Sequence, residues 1–275
     1  GTSYTCTSAM CRISDCPAGR GDCNGNYADG CEVDTSVTTA HCGMCTTSCA
    51  FSCAASACDP VTRIAGGDQH TCALRGSHQV ACWGNGAQGQ LGDGRSMSYV
   101  QPTALPTLYL ADAVSVAAGS QFTCAARGAA GAACWGVNTN GQLGTGDSTA
   151  TVRNTPRAVV TGGTTSGVSA AVAGNVGCAL LSTGAVSCWG LNVSFEVGDG
   201  FFSTTCPTLR QSPRLTPQPV SGLTDATAVA AGTYHACALH VGGQVSCWGS
   251  NATGELGDGA TVHMSGAVQV GCVGS

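Results

Sequence analysis

The chain has 275 residues, and only 9% of them are charged, against about 25% in an ordinary soluble domain; the formal net charge is −5. It contains no lysine, and its basic residues are arginines scattered from Arg12 to Arg214 without a cluster. That excludes a basic stripe able to neutralise phosphates, so nucleic acid is not an expected partner, and no apolar run reaches membrane-helix length, so direct membrane insertion is not expected either.

Cysteine usage sets the expected compartment. The chain holds 20 cysteines, an even count that a reducing cytosol would not keep as disulfides, so a secreted or cell-surface protein is expected. It opens at Gly1 without an initiating methionine or an apolar leader, which fits a removed signal peptide.

Residues 1–60 read as a separate cysteine-rich, disulfide-stapled module, because they lack the repeat that follows and carry ten of the cysteines between Cys6 and Cys58. The run from Cys16-Pro17-Ala18-Gly19-Arg20-Gly21-Asp22-Cys23 through Gly30-Cys31, followed by His41-Cys42, Cys45 and Cys49, resembles a module at the N-termini of secreted soil-bacterial proteins. Asp22, Asn24 and Asn26 occupy the first, third and fifth places of a calcium-loop pattern, with Asp29 near enough to add a ligand. Tyr27 and Val33 stand where an EF-hand needs glycine and glutamate, so structural calcium competes with ordinary Asx turns and no other cofactor is expected. The spacing of His41, Cys42, Cys45 and Cys49 would suit zinc, but an oxidising compartment favours disulfides.

Residues 61–275 repeat one unit four times, over about 61–113, 114–167, 168–226 and 227–275. Each unit carries a cysteine pair ten residues apart: Cys72 and Cys82, Cys124 and Cys134, Cys178 and Cys188, Cys237 and Cys247. A hairpin folded about the midpoint sets the two cysteines opposite each other on antiparallel strands, within reach of a disulfide. Gly184 and Gly243 sit where such a turn needs positive φ. Alternation puts Leu74, Leu180 and Leu239 on the cysteine face and Trp83, Trp135, Trp189 and Trp248 on the other. Both faces are therefore apolar, as in a sheet packed between neighbours, and the tryptophans read as core between units. The Trp-Gly dipeptides recur 52, 54 and 59 residues apart, and each leads into a tag such as Gly89-Gln90-Leu91-Gly92-Asp93-Gly94. The fold class expected is all-β: a propeller-like array of four four-stranded repeats, closed in a small ring or open as an arc.

The pattern His70-Thr71-Cys72-Ala73-Leu74, Cys82-Trp83-Gly84 and Gly89-Gln90-Leu91-Gly92-Asp93-Gly94 resembles the bacterial form of the regulator-of-chromosome-condensation repeat, over roughly residues 61 to 275. The resemblance implies a β-propeller that binds through loops at the ends of its blades. Relatives usually close seven blades, whereas this chain has four, so a small ring, an open arc and a ring completed by another chain all remain open. Intramolecular closure would pair Gly266–Val270 beside Val61–Ile64. Cys206 and Cys272 could bridge each other or cross to the N-terminal module.

No nucleophile–base motif is present, the glycine tags lack the Lys-Ser/Thr ending of a phosphate loop, and Asp93, Asp199 and Asp258 recur as structural residues do, so the chain is not expected to be an enzyme. Two functions are expected instead. One is a secreted structural subunit that associates with itself into a fibre, tube or surface layer. The other is a discrete binding module, an inhibitor, adhesin or lectin, that takes another extracellular protein or glycan on a loop face; Phe201 and Phe202 are its candidate patch.

Overall fold

The computed structural model describes residues 3–7, 10–15, 18, 20–21, 33–34, 53–54, 57–95, 99–147, 149, 151–160, 167–200 and 212–269. The chain divides into two compact units, Gly1–Val61 and Thr62–Ser275.

Among its described residues the first unit holds three short antiparallel pairs. They are β1 (Ser3–Thr7) with β2 (Met10–Asp15), β3 (Arg20–Gly21) with β4 (Val33–Asp34), and β5 (Cys53–Ala54) with β6 (Ala57–Cys58). Their register sets Cys6 opposite Cys11 and Cys53 opposite Cys58.

The second unit is four antiparallel four-stranded sheets in sequence order, here called blades 1 to 4. Blade 1 is β7 (Val61–Gly66), β8 (His70–Arg75), β9 (Val80–Asn85) and β10 (Val100–Pro106). Blade 2 is β11 (Ser115–Ala118), β12 (Phe122–Ala126), β13 (Ala132–Val137) and β14 (Val152–Ala158). Blade 3 is β15 (Gly167–Ala173), β16 (Val176–Leu181), β17 (Val186–Gly190) and β18 (Arg214–Pro219). Blade 4 is β19 (Ala226–Ala231), β20 (His235–His240), β21 (Val245–Gly249) and β22 (Met264–Gln269). The fold is all-β.

The central hairpin of every blade has the same register, with Cys72 opposite Cys82, Cys124 opposite Cys134, Cys178 opposite Cys188 and Cys237 opposite Cys247. Each pair is disulfide-bonded with Cα atoms 4.1 Å apart. The Trp-Gly dipeptide has a backbone cause. Gly84, Gly136, Gly190 and Gly249 hold φ between 105° and 107°, a region closed to most side chains, and in every blade the register to the fourth strand shifts between the cysteine and this glycine, across the tryptophan.

Alternation then loads both faces, and packing between blades makes the core. The cysteine face of blade 1 (Cys72, Leu74, Val80, Cys82) meets Ala125 and Trp135 of blade 2. The same face of blade 2 meets Ala179 and Trp189, and that of blade 3 meets Ala236, Ala238 and Trp248. The tag leucine or valine, Leu91, Leu143 or Val197, fills the joint each time. At roughly 25 cal/mol per Å² of apolar surface, a tryptophan fully enclosed this way stabilises its joint by several kcal/mol.

The array is an open arc. β22 pairs with β21 and β7 with β8, each inside its own sheet, so among the described residues the pairing of 266–269 with 61–64 that would close a ring is not made. The expectation that all four tryptophans are core between blades holds for Trp135, Trp189 and Trp248, each 0% exposed. Trp83, on the first blade, is only partly buried.

Candidate functional site

The repeated joint between blades is the most highly built feature of the second unit, and it rests on one polar contact. Trp135 Nε1–H donates to the carbonyl of Gln90 at 2.8 Å, Trp189 to that of Gln142 at 2.9 Å and Trp248 to that of Glu196 at 3.0 Å. The acceptor is always the second residue of the preceding tag. An indole buried in an apolar joint must find an acceptor, and the tag carbonyl, which follows a positive-φ residue (Gly89, Gly141 or Phe195), supplies it. Gly92, Gly144 and Gly198 stand so close that a Cβ there would lie 2.8, 2.9 and 2.6 Å from the facing indole.

The tag is braced from within. Asn138, Asn192 and Asn251 each accept, through Oδ1, the backbone N–H of Leu143, Val197 and Leu256. The side chains of Gln90, Gln142, Glu196 and Glu255 each accept a backbone N–H two residues upstream. Glu196 is fully buried with Oε1 unpartnered, and burial pushes its carboxyl above the usual range.

The joint between blades 1 and 2 adds a histidine. Thr123 Oγ1 donates to the Gln90 carbonyl at 2.9 Å, so its oxygen is free to accept from His70 Nε2–H at 2.8 Å. Nδ1 is left buried and unpartnered, which suits the neutral tautomer protonated at Nε2. Burial depresses the His70 pKa to about 4, against an opposing pull from Asp68.

At the two ends of the arc, among the described residues, Trp83 Nε1, the Thr71 hydroxyl and the His235 ring have no hydrogen-bond partner. On blade 4 the cysteine face lies open, with Leu239 41% and Val241 74% exposed. Its tag keeps the joint-forming backbone, with Gly254, Gly257 and Gly259 at φ 82°, 65° and 82°. A Cβ on Gly254 or Gly259 would meet nothing within 4 Å, whereas one on Gly89 would lie 2.9 Å from Asn154 of blade 2. On blade 1, Thr71 and Trp83 are partly exposed. Between them and Arg75 the small residues Ala73 and Ala81 are covered, at 1% exposure.

A hydrogen-bonded Asp–His–Ser chain also occurs. His240 joins Asp225 through Nδ1 at 2.5 Å and Ser246 through Nε2 at 2.9 Å. Ser246 is 4% exposed inside β21. In blade 2 the place of His240 and Asp225 is taken by Arg127 and Asp112, also 15 residues apart and joined at 2.8 and 2.9 Å. The pair is thus a recurring tie within the repeat.

Other residues singled out by sequence fall as follows. Asp93 accepts from Tyr99, Asp199 from Arg214, and Asp258 from Asn251 and Ala260, so each carboxylate anchors its own tag. Among the described residues no three His, Cys, Asp or Glu side chains are grouped to hold a metal, and no helix is long and apolar enough to cross a membrane. The candidate calcium ligands Asp22, Asn24, Asn26 and Asp29, the zinc-spaced set from His41 to Cys49, Phe201, Phe202, Cys206 and Cys272 lie outside the described residues.

Comparison with known proteins accounts for the repeat. The regulator of chromosome condensation (RCC1) repeat matches residues 77–126, and a second profile of that repeat matches 61–90 and 226–255. The chain carries RCC1-type repeats. It is 30% identical over 202 residues to the human E3 ubiquitin-protein ligase HERC2, covering 72% of this chain and 4% of that protein. It is 30% identical over 200 residues to the Arabidopsis thaliana ultraviolet-B receptor UVR8, covering 71% of this chain and 43% of the receptor. The chain thus spans less than half the length of these relatives. Yeast RCC1 (Prp20), solved bound to Kap60, superposes with TM-score 0.67 at 21% identity, covering 78% of this chain and 49% of that one. Human WBSCR16 gives 0.66 at 24% identity, covering 78% and 54%. The RCC1-type propeller fold is shared, and the arc accounts for about half of each solved propeller.

Proposed function

We propose that this chain is a non-enzymatic, secreted structural protein whose disulfide-stapled RCC1-type blades associate with further copies into an extracellular fibre, tube or surface layer. One observation carries the reading: blade 4 ends the arc on an exposed apolar face whose tag keeps the joint-forming backbone. The scarcity of charge supports it, since 9% charged residues leave few repulsions to keep copies apart. The blade disulfides and the overall cysteine count support an oxidising, extracellular location.

The test is the assembly state of the native, non-reduced protein, by light scattering after size exclusion and by negative-stain imaging. Filaments, sheets or a defined oligomer are expected. A clean monomer near 27.1 kDa at all concentrations would overturn the reading.

A second reading has its own observation. Loops at one end of blades 2, 3 and 4 line a cavity of about 510 Å³ with Asn140, Asn175, Ser194, Tyr234 and Ser250, together with the apolar Leu191 and Val193. Amides, hydroxyls and one half-exposed tyrosine suit a polar ligand, as in a binding module that takes a glycan or a protein loop on the propeller's loop face. Binding to a glycan array that Tyr234→Ala abolishes would favour this reading. Yeast RCC1 (Prp20), solved bound to Kap60, is the comparison that lends protein binding weight here.

A further inference from the structure

Resting on the self-association reading, we propose that the joint is head-to-tail: the open face of blade 4 in one copy receives the Trp83 edge of blade 1 in a second copy, reproducing the tag-side contacts of the joint between blades 1 and 2. The argument is a residue-by-residue match. In the internal joint, blade 1 supplies His70, Cys72, Leu74 and the Gln90 carbonyl, and blade 2 supplies Thr123 and Trp135. At the same repeat positions blade 4 ends on His235, Cys237, Leu239 and Glu255, and blade 1 begins on Thr71 and Trp83. The residue types are identical except that glutamate replaces glutamine, and there the contact uses the main-chain carbonyl.

The polar groups are complementary and unspent. Among the described residues, Trp83 Nε1, the Thr71 hydroxyl, the Glu255 carbonyl and the His235 ring have no hydrogen-bond partner, whereas each counterpart in the internal joint has one. Seating one copy on the other satisfies all of them with three bonds: indole to Glu255, Thr71 to Glu255, and His235 to Thr71. Ala73, Ala81 and Arg75, at 1%, 1% and 5% exposure, are already covered within the single chain, so the contact is carried by the end of the blade that bears Thr71, Trp83 and the tag. A contact between two different faces propagates, and it gives a ring if the rotation closes and a filament if it does not.

The experiment uses the full chain, oxidised. Sedimentation velocity over a concentration series is run on the native protein, on Trp83→Ala, on His235→Arg, and on a one-to-one mixture of the two variants. Leu239→Arg, at a position 41% exposed, serves as a second tail variant should His235→Arg fail to fold. Each variant alone is expected to associate at least about tenfold more weakly, the effect of roughly one buried hydrogen bond. The mixture still holds one intact head and one intact tail, so it forms a complex of two chains, twice 27.1 kDa. If the native protein associates but neither variant weakens it, or the mixture stays monomeric, this joint is wrong while self-association stands. A native protein that is monomeric throughout overturns both.

Discussion

The indole of Trp135 donates to the carbonyl of Gln90 at 2.8 Å across the joint between two blades, and that carbonyl also accepts from Thr123 at 2.9 Å. One main-chain oxygen thus gathers two donors from the neighbouring sheet. Trp135→Phe keeps most of the ring and removes one donor, leaving the carbonyl its second partner. It is expected to cost about 1–2 kcal/mol in urea unfolding, and Trp135→Ala about 3–5 kcal/mol through the cavity it leaves. Equal losses for the two would show that the hydrogen bond, not the packing, dominates the joint.

The tag glycines separate two costs. Gly198 sits at φ 73° with a Cβ position 2.6 Å from Trp248, whereas Gly254 sits at φ 82° facing open space. Alanine at either position meets the left-handed penalty of about 1–2 kcal/mol. At Gly198 it also crowds the indole, adding about 1–3 kcal/mol. Thermal unfolding of the two variants under identical conditions compares them, and equal shifts would refute a steric role for the facing tryptophan.

His70 makes stability depend on pH. Its pKa is about 4 in the fold and 6.5 in the unfolded chain, so between those values the unfolded state binds the extra proton. Stability from this group is complete above pH 6.5 and falls as pH drops from 6.5 to 4, by up to about 3 kcal/mol, with no further loss below. His70→Phe places at this site the residue that blade 2 uses, Phe122, and is expected to flatten the profile of unfolding free energy over that window. A variant with an unchanged slope would exclude His70 as its source.

The blade disulfides are expected to be complete in the native protein. Peptide mapping without reduction should recover Cys72 linked to Cys82 and Cys178 linked to Cys188, and free thiol at Cys72 or Cys178 would sink this pairing. Replacing both cysteines of one blade by serine is expected to lower stability by about 2–4 kcal/mol, because each bond closes a short loop in the unfolded chain.

The chain Asp225–His240–Ser246 is expected to be inert. A fluorophosphonate probe should leave Ser246 unlabelled, since the hydroxyl is 4% exposed. Labelling that depends on His240 would overturn the non-enzymatic reading.

Spacing alone was enough for the hairpins. Ten residues between paired cysteines, read with the alternation of strand side chains, determined that the cysteines oppose each other and that leucine and tryptophan take opposite faces, because both are local consequences of antiparallel geometry. The repeat likewise announced four blades and a core lying between them. What the sequence could not carry was the direction of stacking, the acceptor of each indole and the exception at Trp83, since they depend on which blade lies beside which. His70 shows the difference. Its match to His235 marked it as a blade residue, but the two side chains differ in burial because one has a neighbouring blade and the other does not. Four near-identical units leave two unlike ends, and only tertiary packing decides which groups those ends leave unsatisfied.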